Sequence, residues 1–167
     1  MIRIGLPSTT PRRRRRRRLI MTHVEQSPTT SNLSVLESLG LPRNWLAAHQ
    51  HIVSGVSPEI VVKLSSLLGS NTRTICQMIG ISRDTLNRQI KRGNRLSTAQ
   101  GDRVYWAALA VDAAISLHRG DTAKTMRWLT RSAWGLGGEK PADVITTPMG
   151  AQAVIDLVGR IRHGIPC

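Results

Sequence analysis

The stretch NTRTICQMIGISRDTLNRQIKRG, Asn71 to Gly93, decides the fold. Ile75 and Ile79 stand one helical turn apart and so share a face. Gly80 follows where a tight turn can take a positive φ. Ser82 then offers a capping hydroxyl to a second helix, whose Leu86 and Ile90 again sit four apart and are expected to face inward. Small Cys76 falls where two such helices would approach most closely. This is the spacing of a helix-turn-helix.

With Leu86 and Ile90 turned in, Arg83, Asp84, Asn87, Arg88 and Lys91 turn out. Arg73 on the first helix and Ser82 at the turn complete the set expected to bind double-stranded operator DNA. These side chains suit a major groove: arginine forks onto guanine, asparagine pairs with adenine, and lysine meets phosphate. Asn71 to Arg95 holds six basic residues against one acid, Asp84, a local charge of +5. That nearly equals the +6 of everything after residue 20. Charge gathered on one helix pair is a nucleic-acid footprint.

Outward from this motif the pattern stays helical. Segments 34–39, 43–53 and 57–68 carry apolar residues at three- and four-residue spacing, with Ser57-Pro58 reading as a cap and a first helical proline. A longer segment, about 98–118, puts Val104, Ala107, Ala108, Val111, Ala114 and Ile115 on one side. Others run from Thr122 to about Arg131 and from Thr147 to His163. No alternating strand pattern and no internal repeat stands out, so the expected class is all-α. The core must be aliphatic, because the 167 residues include no Phe, one Tyr and four Trp. No apolar run reaches the roughly 18 residues of a membrane span, and no membrane partner is expected.

The net charge is +14, from 24 basic and 10 acidic residues. Eight arginines, Arg3 and Arg12 to Arg18, fall in the first 20 residues without an acid. That run reads as a nucleic-acid-binding arm, a solvated tail, or an extension upstream of a start at Met21; residues 1–32 are expected to be disordered. No apolar stretch follows to make a secretory signal. Cys76 and Cys167 make neither a disulfide framework nor a zinc site, which fits a reducing cytoplasm.

Chemistry-bearing clusters are scarce. His49 and His51 fall on different faces of a helix, His118 and His163 end helices, and His23 lies in the basic tail. No metal, cofactor or catalytic group is expected, and the chain does not read as an enzyme. The one glycine-rich segment, Gly135, Gly137 and Gly138 ahead of Lys140-Pro141, has neither GxGxxG spacing nor a Gly-Lys-Ser/Thr run. It reads as a corner that ends one helix, with a proline that starts the next.

The segment from Trp128 to Gly164 resembles the toxin-binding domain of the Xre/MbcA/ParS antitoxins. The resemblance rests on Trp128-Leu129, Leu136-Gly137-Gly138, Pro141, Thr147, Gly150, Val154 and Arg160-Ile161 with Gly164. The preceding helix-turn-helix is similar to the same family's, through Thr85, Arg88, Leu96-Ser97 and Asp102-Arg103. Departures are Ser132-Ala133, where the family has a Pro-Asn pair, and Thr125, where it often has Ala. The resemblance implies a cytoplasmic, homodimeric type II antitoxin that blocks a cognate toxin, expected to be an NAD-degrading RES-domain protein, and represses its own operon. The alternative is a stand-alone helix-turn-helix regulator without a toxin.

On this reading residues 33–119 are the helix-turn-helix domain and 120–167 a small helical toxin-binding and dimerisation domain. Trp134, Leu136, Gly137, Gly138, Arg160, Arg162, His163 and Gly164 are the expected toxin contacts. The apolar row Trp128, Leu129, Leu136, Val154, Leu157, Val158 and Ile161 exceeds what a few short helices can bury. Part of it is therefore expected to be left for a partner.

Overall fold

Local capping chemistry sets most of the boundaries in the computed structural model, which describes residues 34–165; every regular element among them is helical. The expected basic tail, with its arginine run, lies outside the described residues. α1 (Val35–Leu39) starts with a capping box between Ser34 and Glu37. α2 (Trp45–Val53) starts where the Asn44 side chain accepts the Leu46 and Ala47 N–H groups. α3 (Glu59–Leu67) begins one residue later than Ser57-Pro58 suggests, because Pro58 occupies the cap position itself. Then come α4 (Thr72–Ile79), α5 (Arg83–Arg92), α6 (Thr98–Leu117) and α7 (Thr122–Leu129). A 3₁₀ turn (Trp134–Leu136), α8 (Pro141–Val144) and α9 (Pro148–Arg162) complete the order.

The long helix α6 is the axis of the fold. It opens with a capping box between Ser97 and Gln100, and its alanines remove the steric bar to close neighbours. Val104, Ala107, Ala108, Ala110, Val111 and Ala114 are all fully buried. With Gly101 and Tyr105, which are also buried, these positions cover more than half of the helix circumference, so α6 is packed on several sides rather than along one stripe. α1, α2, α4, α7 and α9 all lean on it, with α9 making the most extensive contact. Gly101 allows one close approach, since a Cβ there would stand 2.8 Å from the Val56 side chain. The Tyr105 hydroxyl donates to the Pro42 carbonyl at 2.9 Å, tying the α1–α2 connection to the same axis.

Two expectations are corrected. Ile90 does not face inward: it is 36% exposed, beside Ser57, Pro58 and Gly93, while Leu86 alone anchors the buried face of α5. The helix turns about 100° per residue, so four positions carry a side chain some 40° round, and α5 is leaving the core by then. The apolar row of the last helices is also not surplus. Leu129, Val154, Leu157 and Val158 are buried within the chain, and Trp128 and Leu136 pack against its core. Of that row only Ile161 is substantially exposed. The sequence reading missed the partner that buries the rest, which is α6.

The turn from α6 to α7 has Arg119 at φ 54° and Gly120 at φ 88°. Helices from both sides of it contribute to one core, and the described residues belong to a single compact unit. Among the described residues, no helix is long and apolar enough to cross a membrane.

Candidate functional site

The helix-turn-helix is built by three local devices. The Asn71 side chain caps α4 by accepting the Thr74 N–H at 2.8 Å. Gly80, at φ 73°, ends α4, and the Ile81 N–H reaches back to the Cys76 carbonyl at 3.0 Å. This double closure satisfies orphan carbonyls and fixes the turn. The Ser82 hydroxyl then accepts the Thr85 N–H at 3.1 Å and starts α5. Ile75, Ile79 and Leu86 are fully buried beneath the turn, and each such side chain contributes roughly 1.5–3 kcal/mol.

Above that buried layer the polar side chains gather on one surface. Arg73, Gln77, Ser82, Arg83, Asp84 and Asn87 line an open groove of about 480 Å³ between α4 and α5. A second groove continues along α5 past Asp84, Asn87, Arg88, Lys91 and Arg92. A third leads from Arg83 and Arg73 to Asn71 at the start of α4. Shared residues join the three, so all seven expected DNA contacts lie on one strip. Gln77 was missed by sequence reading. Its signal was its place one turn after Arg73, on the face opposite Ile75 and Ile79.

The strip is electrostatically open. The ion pairs seen are Arg43–Asp112 and Lys124–Asp121, both elsewhere, so among the described residues no carboxylate pairs with its basic side chains. Two members are partly committed: Ser82 serves as the cap and donates to Thr85 Oγ1 at 2.8 Å, and Arg88 reaches that oxygen at 3.4 Å. Arg95, counted in the local charge, turns away and donates to the Gly55 carbonyl at 2.7 Å. Beneath the groove, burial pushes the Cys76 thiol above its ordinary value, with Arg83 pulling the other way.

The turn does not stand alone. Arg103 of α6 donates to the Gly80 carbonyl at 3.0 Å. A Cβ on Gly80 would come within 3.4 Å of the Thr146 carbonyl, in the turn between α8 and α9. The motif thus rests on α6 and on the C-terminal helices together.

At the other end, the glycine corner is a closed loop. The Ala133 N–H donates to the Glu139 carbonyl at 2.9 Å, and the Gly138 N–H returns to the Ala133 carbonyl at 3.1 Å. Gly137 and Gly138 both have positive φ, and Pro141 is the first residue of α8. Trp134 projects from this loop 87% exposed, whereas Leu136 turns in against the core. Arg160 donates to the Gly135 carbonyl at 3.4 Å and so braces the corner from α9. Arg162, His163 and Gly164 are exposed at the end of that helix, which Gly164 closes at φ 65°. Thr125 is fully buried yet satisfied, its hydroxyl donating to the Asp121 carbonyl at 2.7 Å. Gly150 is sterically required, because a Cβ there would overlap the Val144 carbonyl.

Residues 47–108 match the antitoxin Xre-like helix-turn-helix domain, and residues 113–164 match the antitoxin Xre/MbcA/ParS C-terminal toxin-binding domain. The chain belongs to the Xre/MbcA/ParS antitoxin family. It is 26% identical over 140 residues to an antitoxin Xre of Yersinia enterocolitica, covering 83% of this chain and 95% of that protein. An antitoxin Xre of Photorhabdus laumondii is 29% identical over 111 residues, 66% of this chain and 75% of the relative. The strip on α4 and α5 lies within the first matched domain of the antitoxin, the glycine corner and α9 within the second. Among the described residues, no group of His, Cys, Asp and Glu is arranged to hold a metal. The buried Nε2 atoms of His51 and His118 have no hydrogen-bond partner, and His118 stands edge-on to Trp128 at 6.1 Å.

Proposed function

We propose that the chain is a non-enzymatic, cytoplasmic antitoxin that binds operator DNA as a homodimer, represses its own operon and blocks a cognate toxin. One observation carries the DNA half: a continuous basic strip on a capped helix pair with no carboxylate partner among the described residues. On this reading Arg83 and Asn87, at the start of α5, read base edges, while Arg73, Arg88 and Lys91 hold phosphates. Asp84 discourages a misplaced phosphate, and Ser82 keeps the first turn of α5 rigid.

The toxin half belongs to residues 120–167. Trp134 is the anchor, on a loop closed by its own backbone hydrogen bonds and braced by Arg160. Gly137 and Gly138 give the loop its shape, and Leu136 pins it to the core. Arg162 and His163, past the last buried turn of α9, suit a cleft that takes an anionic dinucleotide. A RES-type, NAD-degrading toxin fits that charge.

The test uses the DNA upstream of the chain's own coding sequence. The double variant Arg83→Ala, Asn87→Ala is expected to lose specific affinity in mobility shifts, by about 1–3 kcal/mol per residue, while folding normally. Lys91→Ala should instead weaken all sequences alike. Unchanged operator affinity in the double variant would rule out α5 as the reading helix. Co-expression with the protein encoded beside it tests the toxin half, since a stand-alone regulator would rescue nothing.

A further inference from the structure

The helix α5 is lightly held for an element that must be aimed. Of its side chains only Leu86 is buried, and Ile90 is exposed, so its direction depends on the turn that joins it to α4. Local chemistry leaves that turn incomplete. Among the described residues no backbone N–H donates to the Gly80 carbonyl, and α4 carries no basic residue in its own last turn. A carbonyl and the negative end of the α4 dipole are thus left to a partner from elsewhere. Arg103 on α6 supplies both. Its guanidinium donates to the Gly80 carbonyl at 3.0 Å and makes no ion pair with a described carboxylate. The Thr146 carbonyl backs the same glycine, so the turn is held between α6 and the α8–α9 connection.

We infer that Arg103 is a positioning residue for operator recognition: it fixes the α4–α5 turn, and through it the angle at which α5 presents Arg83 and Asn87. Leverage decides the matter. A tilt of about 8° at Ser82 moves Asn87, roughly 7.5 Å along the helix, by about 1 Å. A hydrogen bond to a base edge tolerates only about 0.5 Å before it is lost. Arg103 lines none of the three joined grooves, so it acts through the turn and not by touching nucleic acid. Arginine suits the task, since its planar group stays charged at every working pH and loses little freedom on being held. This inference rests on the DNA-binding reading above, because it concerns the aim of α5.

Arg103→Met, which keeps the stem and removes the donors, tests it in the full-length chain. Affinity for the upstream operator fragment should fall about tenfold or more. Binding to an unrelated duplex, and the dependence of affinity on salt, should stay as they are. Arg103→Lys restores a charged donor with less reach and should recover part of the loss. The loss should also shrink on an Asn87→Ala background, since the effect passes through α5. Amide hydrogen exchange at Ile81 and Thr85, which close the turn, should quicken in Arg103→Met with no change along α9. Equal losses on operator and unrelated DNA, with a salt slope lower by about one ion, would make Arg103 a phosphate contact and overturn the inference. So would a lower melting temperature with operator affinity unchanged, the mark of a merely structural bond. Should Arg103→Met fail to fold, Arg103→Lys carries the test, with a smaller loss confined to the operator. An unaltered chain that binds its operator no better than either folded variant does overturns this inference alone. An unaltered chain with no preference for the upstream DNA overturns the DNA-binding reading, and this inference with it.

Discussion

The α4–α5 pair and the C-terminal corner present their outward residues in opposite ways. On α5 a regular helix carries its charges on the face opposite Leu86, so the periodicity that buries one side displays the other. At the corner the regular part, α9, is mostly consumed by packing on α6. What is displayed comes from an irregular loop, with Trp134 held out by backbone hydrogen bonds around Gly137 and Gly138. A helix face advertises itself through spacing. A loop can be weighed only once its neighbours are known.

The sharpest way to break this contrast is to ask whether the two regions share their stability. Leu86→Ala beneath α5 and Leu129→Ala in α7 should each cost about 2–5 kcal/mol, since both side chains are fully buried. Both variants should still melt in one transition that removes operator binding, because α6 serves both halves. Two separate transitions by calorimetry would mean that the halves fold independently.

Next in size is the exposed anchor. Trp134→Ala should leave stability within about 0.5 kcal/mol, as expected for an exposed site. It should weaken toxin binding by about 2 kcal/mol or more, as a hot-spot anchor does. Titration calorimetry with the co-expressed toxin measures the second term and thermal melting the first. Equal losses in both would make Trp134 a structural residue.

The caps give a smaller and more selective comparison. Ser82→Ala and Thr147→Ala each remove an acceptor for the first turn of a helix, and each should cost about 1 kcal/mol of stability. Only the Ser82 change should also reduce operator affinity, since on the proposed reading α5 alone enters the groove. Parallel losses of DNA binding would indicate that the α8–α9 turn, which backs Gly80, positions the reading helix as strongly as the cap does.

The smallest effect is a pH dependence. Asp121 caps α7, and the Lys124 N–H above all, helped by that lysine's charge and by Arg127, holds its carboxyl below the usual value. A carboxyl lowered on folding adds stability above its unfolded pKa and loses it as pH falls through the folded one. Asp121→Asn keeps an acceptor at the cap but cannot titrate. The gap in melting temperature between the two chains should therefore shrink in acid, and a constant gap would remove the charge from the explanation.

What could be read without coordinates follows from which interactions are local. Ile75, Ile79, Gly80, Ser82 and Leu86 lie within a dozen residues, and their spacing, capping and turn chemistry name the motif and its outward charges. The glycine corner and the proline that follows it are equally local, as are the start of α9 at Thr147 and the all-helical class. Tertiary structure decided the rest. It turned Ile90 out, because α5 leaves the core there, and it spent Arg95 on the Gly55 carbonyl. It buried Leu129, Val154, Leu157 and Val158, which sequence alone would leave for a partner, and it left Trp45, Leu46 and Val53 bare on a helix that reads as core. Periodicity shows that a helix has an apolar face, but whether that face meets its own chain depends on contacts between residues far apart in sequence, here mostly with α6.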